Sequence, residues 1–188
     1  MLTPGRLGAA FAIYWDDMNR CRHSRAYWSL LHVTVCLPDI CAALQSDSGA
    51  ATGAAYISWC ERYLANPRLS GRERYWIRCK VLHQGRASTD RAGCRYGGFS
   101  FAQPAPTGEV DHLRVEGSTL ILDVGCLTDE VRRGVEQWIQ VLEASPASRE
   151  SLNTERYLPS LVQVRQFPIP RPAASVSLDP PILIARSS

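Results

Sequence analysis

Tyr75-Trp76-Ile77-Arg78-Cys79-Lys80-Val81-Leu82-His83-Gln84-Gly85 is the stretch on which the reading of this chain turns. It reads as the last turns of a helix, with an arginine inside it and a histidine five residues later. Gly85 stands where such a helix ends, at the position that favours a left-handed residue. Upstream, Ser70 is an N-cap candidate and Glu73, three residues on, completes a capping box, so the spacing predicts a helix from Gly71 to Gln84. On an ideal helix, five residues at about 100° each put Arg78 and His83 about 140° apart. Convergence of the two side chains then calls for an unwound last turn or for two chains contributing jointly.

Working outward towards the N-terminus, Arg25–Leu44 is apolar nearly all round, the pattern of a helix at the centre of a bundle. Pro38 is expected to kink or interrupt it. Asp39, directly after that proline, is a carboxylate in a greasy element and needs a partner, for which arginine is the usual choice. Before this, Leu7, Phe11, Tyr14, Trp15 and Met18 form one stripe of a first helix between about Pro4 and Arg22. After it, Gln45–Gly53 reads as a loop. A third helix follows from about Thr52 or Ala54 to Ala65, with Tyr56, Trp59, Cys60, Tyr63 and Leu64 on one face, ended by Asn66-Pro67.

Towards the C-terminus, 86–98 is polar and Phe99 and Phe101 alternate with polar neighbours as in a short strand. Strands over His112–Glu116 and Ser118–Val124 flank the hairpin signal Glu116-Gly117, with Leu113 and Val115 on one side, as are Leu120, Leu122 and Val124. Thr128-Asp129-Glu130 then caps a last helix whose stripe is Val131, Val135, Trp138, Ile139 and Leu142. The expected fold is therefore mainly α: a four- to five-helix bundle over residues 1–145, with a small β-hairpin inserted at about 97–125 before the last helix. Residues 146–188 hold seven of the 12 prolines and read as a proline-rich tail, with one apolar run, Leu161–Phe167, able to dock as a strand.

Composition sets bounds. The chain has 188 residues, 45% hydrophobic and 21% charged, which suits one folded domain with a tail. A net charge of +3 does not by itself argue for nucleic acid. All but one of the 21 basic residues are arginine, the exception being Lys80. Arginine suits phosphate and carboxylate recognition, and GC-rich codon usage is the plainer source of most of them. Seven cysteines, an odd number with no CxxC pair, argue against a disulfide framework and a zinc ribbon, and point to a reducing cytoplasm. No stretch reads as a membrane span of ~20 apolar residues, and no signal pattern opens the chain.

Arg78-Cys79-Lys80-Val81-Leu82-His83, near the end of a helix in an all-α core, resembles the signature of the HEPN superfamily, small helical bundles marked by arginine, four residues and histidine. Pro38–Ala43 and Tyr56–Cys60 resemble flanking stretches of uncharacterised bacterial proteins of that type, so the likeness covers about Arg25–Gly85. The residue after the arginine, often Asn, Asp or His in the family, is Cys79 here. The resemblance implies cleavage of RNA without a metal or other cofactor, at a site shared across a homodimer, in a toxin, defence or stress system, with an antitoxin or other protein as a further partner. It implies that His83 moves the proton of the ribose 2′-hydroxyl and that Arg78 holds the phosphate; beside that pair, Asp39, Cys79 and Lys80 stand as supporting candidates.

Plainer readings stand beside these. A HEPN-like module without catalysis would serve as an interaction scaffold. Arg78 would then be a strut to Asp39, and His83 a last-turn histidine suited to the helix dipole. Lys80, Arg72 and Arg74 read as a solvated face, the aromatics Tyr56, Trp59, Tyr63, Tyr75 and Trp76 as core, His32 as a satisfied core histidine, and Asp111-His112 as loop. A metal set of His32, His83, Asp39 and a cysteine lacks ligand spacing. Ser118 and Thr119 lack a nearby base for a hydrolase triad.

Overall fold

The structure is a computed structural model and describes residues 2–84, 93–104 and 110–161. Among these residues six α-helices and three short strands follow one another as α1 (Arg6–His23), α2 (Tyr27–Gln45), α3 (Gly53–Tyr63), α4 (Gly71–Gln84), β1 (Gly98–Ala102), β2 (Arg114–Glu116), β3 (Thr119–Asp123), α5 (Val124–Ala144) and α6 (Arg149–Tyr157). The fold is mainly helical with a small mixed sheet before the last long helix, as the sequence predicts.

α2 is the axis of the bundle. It touches α1, α3, α4, α5 and α6, and this explains why its sequence has no continuous polar face. Pro38 lies inside it, yet α2 continues to Gln45 without interruption. Contrary to the sequence expectation, α2 is long and apolar enough to cross a membrane by length and composition, but half of it is buried against the other helices. α5 is its main partner. The predicted stripe of Val131, Val135, Trp138, Ile139 and Leu142 is buried in full. Trp138 packs edge-on to Phe11 of α1, with ring centroids 5.7 Å apart, and donates its indole N–H to Gln45 Oε1 at 2.8 Å. Gly134 lets the end of α3 close on α5, since a Cβ there would lie 2.3 Å from Leu64 Cδ2 and 2.9 Å from the Tyr63 carbonyl.

The sheet has the order β1-β3-β2. β1 pairs in parallel with β3, and β2 pairs antiparallel with it. The hairpin turn is Gly117-Ser118, with Gly117 at φ 59°, one residue later than Glu116-Gly117. Phe99, Leu120 and Leu122 join the helical core. β2 is the edge strand: Val115 pairs directly with Leu120 and lies on the same face of the sheet, yet it is 49% exposed while Leu120 is buried.

Two boundaries differ from the sequence reading. α5 begins at Val124, not after Thr128: the Asp123 carboxylate accepts from Cys126 N at 2.8 Å and is the true cap. Thr128 sits inside the helix, donating to the Val124 carbonyl at 2.6 Å. Further on, residues assigned to the tail form α6 and a 3₁₀ turn, Leu158–Ser160, docked on α2. Asn153 Nδ2 donates to the Gln45 carbonyl at 3.1 Å, the Tyr157 hydroxyl to the Asp47 carbonyl at 2.7 Å, and Arg149 Nε to Asp47 at 2.6 Å. Gly85 and residues 162–167, the predicted helix stop and docking strand, lie outside the described residues.

Candidate functional site

The site is built on α4, whose start is fixed by the predicted capping box. Ser70 N and Oγ both donate to Glu73 Oε2, at 2.8 and 2.9 Å, and Glu73 N donates back to Ser70 Oγ at 3.3 Å. Arg95 adds bonds of 2.7 and 2.5 Å to the same carboxylate. Burial pushes Glu73 up, but the Arg95 and Ser70 hydrogen bonds outweigh it and hold its pKa below the usual range. Ile77 and Val81 face the core, which turns Arg78 towards α2 and leaves His83 exposed.

Arg78 meets both predicted partners. Its Nε donates to Asp39 Oδ2 at 2.5 Å, with the two side chains 24% and 19% exposed. Burial alone would lower the arginine pKa, but the Asp39 bond raises it above the ordinary value, so the guanidinium charge is secure. Arg78 Nη1 lies 3.0 Å from His83 Nε2. This corrects the helical-wheel expectation: the pair converges within one chain and with α4 helical through Gln84. The 140° separates Cα directions, whereas an arginine side chain is long enough to sweep around its own helix. Because a guanidinium only donates, Nε2 is the acceptor and the imidazole carries its proton on Nδ1 in this contact.

Cys79 is half-buried, with Sγ 4.0 Å from Arg78 Nη1. Cys79 is also the main cause that raises the pKa of Tyr75, one turn earlier on α4. Cys36, one turn before Asp39 on α2, has its pKa pushed up by burial and then by the Asp39 charge. Lys80 does not join this group at the surface. It is 8% exposed, and Arg74 is 4% exposed, so the solvated face predicted for Arg72, Arg74 and Lys80 reduces to Arg72. His32 is not a core residue either: it is half-buried, bonds the Trp28 carbonyl through Nδ1 at 2.8 Å, and stacks edge-on to a Trp28 that is 55% exposed.

A second polar cluster went unread in the sequence. Arg74 Nη2 donates to Glu130 Oε2 at 2.7 Å, and His112 Nε2 lies 3.1 Å from Glu130 Oε1. Burial raises the Glu130 pKa, but the His112 bond and the Arg74 charge prevail and hold it at about 2. Among the described residues, the buried Arg74 Nε and Nη1 and His112 Nδ1 find no hydrogen-bond partner. The three residues come from segments separated by up to 56 positions, and no local pattern links them. A cleft of about 360 Å³ is lined by Tyr63, Arg74, Glu130, Arg133 and Gln137 among others, and neither Arg78 nor His83 belongs to it. Among the described residues no three His, Cys, Asp or Glu side chains gather as a metal site.

Comparison with known proteins found no matching family model, no curated relative and no solved structure of similar fold.

Proposed function

We propose that the chain is a HEPN-like endoribonuclease that needs no metal ion, with Arg78 and His83 as its reacting pair. The observation that carries this is the 3.0 Å contact between Arg78 Nη1 and an exposed His83 through its unprotonated nitrogen. An RNA phosphate entering here competes with His83 for Arg78 Nη1, because an anionic oxygen is the stronger acceptor. That exchange frees Nε2, which then takes the proton of the ribose 2′-hydroxyl while the resulting oxygen attacks phosphorus and the 5′-oxygen leaves. Arg78, held by Asp39, neutralises the charge that builds on the phosphate oxygens. A homodimer of the cytoplasm, with a protein partner in a toxin, defence or stress system, completes this reading.

The test uses end-labelled RNA with chelator present. Wild type is expected to leave 2′,3′-cyclic phosphate ends, and Arg78→Ala or His83→Ala to lower the rate about 100-fold or more. Equal rates in all three proteins overturn the reading. A second reading is favoured by the Arg78–Asp39 bond within one chain, which ties α4 to α2. There the domain is a non-catalytic interaction scaffold, wild type leaves RNA intact, and Arg78→Ala lowers thermal stability as its sole effect.

A further inference from the structure

We propose that the cleft between α5 and the end of α3 is a binding site for a small monocarboxylate, separate from the Arg78–His83 pair. The site does not depend on the ribonuclease reading. One wall is α5, where Glu130, Arg133 and Gln137 follow one another at spacings of three and four residues and so share a face. The other is the chain leaving α3, from Leu64 to Asn66, which Gly134 allows to lie close against α5. Arg74 of α4 completes the lining and is 4% exposed. At about 360 Å³ the cleft has the size of a small-molecule site.

Two features define what fits. Arginine carries five N–H donors. In Arg74 the Nη2 group serves Glu130 Oε2 at 2.7 Å and the Leu64 carbonyl at 3.5 Å. The donors on Nε and Nη1, three N–H groups in all, are buried and find no acceptor among the described residues. A second hollow beside Arg74, lined also by Thr34 and Ile77, measures about 10 Å³, room for no more than one water. One water accepts two hydrogen bonds, so the guanidinium still calls for an acceptor oxygen, and the larger cleft that it lines can admit one. Charge narrows the class. With its pKa at about 2, Glu130 is ionised at neutral pH and cancels Arg74. Arg133 is exposed and, like Gln137, makes no ion pair or side-chain hydrogen bond among the described residues. The lining thus holds one uncompensated positive charge, which one singly charged anion balances. A phosphate monoester, with nearly two negative charges, would set the excess beside Glu130. Asn66 accepts from Arg68 N through Oδ1 at 2.9 Å, which leaves its amide N–H groups, with the Gln137 amide, for oxygens on the rest of the ligand.

The experiment follows backbone amide resonances of the full chain by ¹H–¹⁵N NMR during titration with lactate or benzoate at fixed ionic strength, with lactamide and benzamide as neutral counterparts. At least one carboxylate should shift Asn66, Gly134 and Gln137 saturably, with a dissociation constant on the order of 1 mM, while its amide does not. Arg133→Gln should weaken that binding about tenfold or more and leave the melting temperature unchanged, since Arg133 has no bond to lose among the described residues. Gln137→Ala should weaken it about threefold. No saturable shift with either carboxylate up to about 50 mM means that water alone serves Arg74, and overturns the site. Equal binding of carboxylate and amide, or of wild type and Arg133→Gln, overturns it as well. Inorganic phosphate binding as tightly as the carboxylate overturns the ligand class. RNA cleavage by the same protein is scored separately, so failure here and failure of the ribonuclease reading are told apart.

Discussion

Replacing Glu130 by glutamine tests the buried polar cluster most directly. Arg74 is 4% exposed, and two of its three guanidinium nitrogens have no partner among the described residues, so Glu130 is its main compensation. The Glu130 carboxyl falls from its ordinary 4.5 to about 2 in the folded chain. At about 1.4 kcal/mol for each pKa unit, this corresponds to at most about 3.5 kcal/mol of stability at neutral pH, and to about 2 after allowing for screening by solvent. The sign follows from the direction. A carboxyl depressed by folding stabilises above its unfolded pKa and loses that contribution as pH falls through its folded one. The contribution is whole at pH 7, declines below about pH 4.5, and by pH 3 has fallen to roughly half or less. Urea unfolding followed by tryptophan fluorescence, at pH 7 and pH 3, gives the comparison. Glu130→Gln should unfold about 2 kcal/mol more readily at pH 7 and close much of that gap at pH 3. A gap under about 1 kcal/mol at pH 7, or the same gap at both pH values, would refute the reasoning.

Two other substitutions probe the packing and the site. Gly134→Ala places a methyl group against both Leu64 and the Tyr63 backbone, and the backbone contact cannot rotate away. It should cost about 1–3 kcal/mol in the same unfolding assay, and a neutral result would mean that the end of α3 yields freely. Asp39→Asn weakens the anchor of Arg78 at a half-buried position. Thermal melting should show a loss of about 1–2 kcal/mol, and RNA cleavage should fall with it, since the arginine is no longer aimed.

What the sequence revealed and what it hid follow from range and period. The stripes of α1, α3 and α5 are strictly periodic, and each packs as its period predicts. The start of α5 reads too late in the sequence because the alternation Leu120, Leu122, Val124 runs past Asp123, and the capping run Thr128-Asp129-Glu130 imitates a helix start; the decisive cap, Asp123, sits inside what reads as strand. α6 escaped notice for a different reason. RESLNTERY has almost no apolar residues, and it is held by hydrogen bonds instead: the Ser151 hydroxyl donates to the Leu142 and Ser145 carbonyls at 2.9 and 2.8 Å, and Asn153 bonds the end of α2. A hydrophobic pattern carries no record of such docking. Val115 alternates correctly but lies on an edge strand, where it stays 49% exposed.

At the candidate site the sequence pairs Arg78 with Asp39, as the structure does, and misjudges the separation of Arg78 and His83. Arg78 serves two partners with different nitrogens, Nε on Asp39 and Nη1 on His83. The strut and phosphate-ligand readings of this arginine are therefore not exclusive, because each uses a different edge of one planar group. A guanidinium already anchored through Nε has lost most of its rotamer freedom before any ligand arrives, and less entropy remains to be lost when a phosphate takes Nη1. Asp39 owes its place to the same economy: it follows Pro38 on the central helix of the bundle, where a half-buried carboxylate calls for a cation beside it. On the ribonuclease reading, the bond that satisfies the core is also the bond that aims the site, and stability and cleavage should respond together when either end of it is changed.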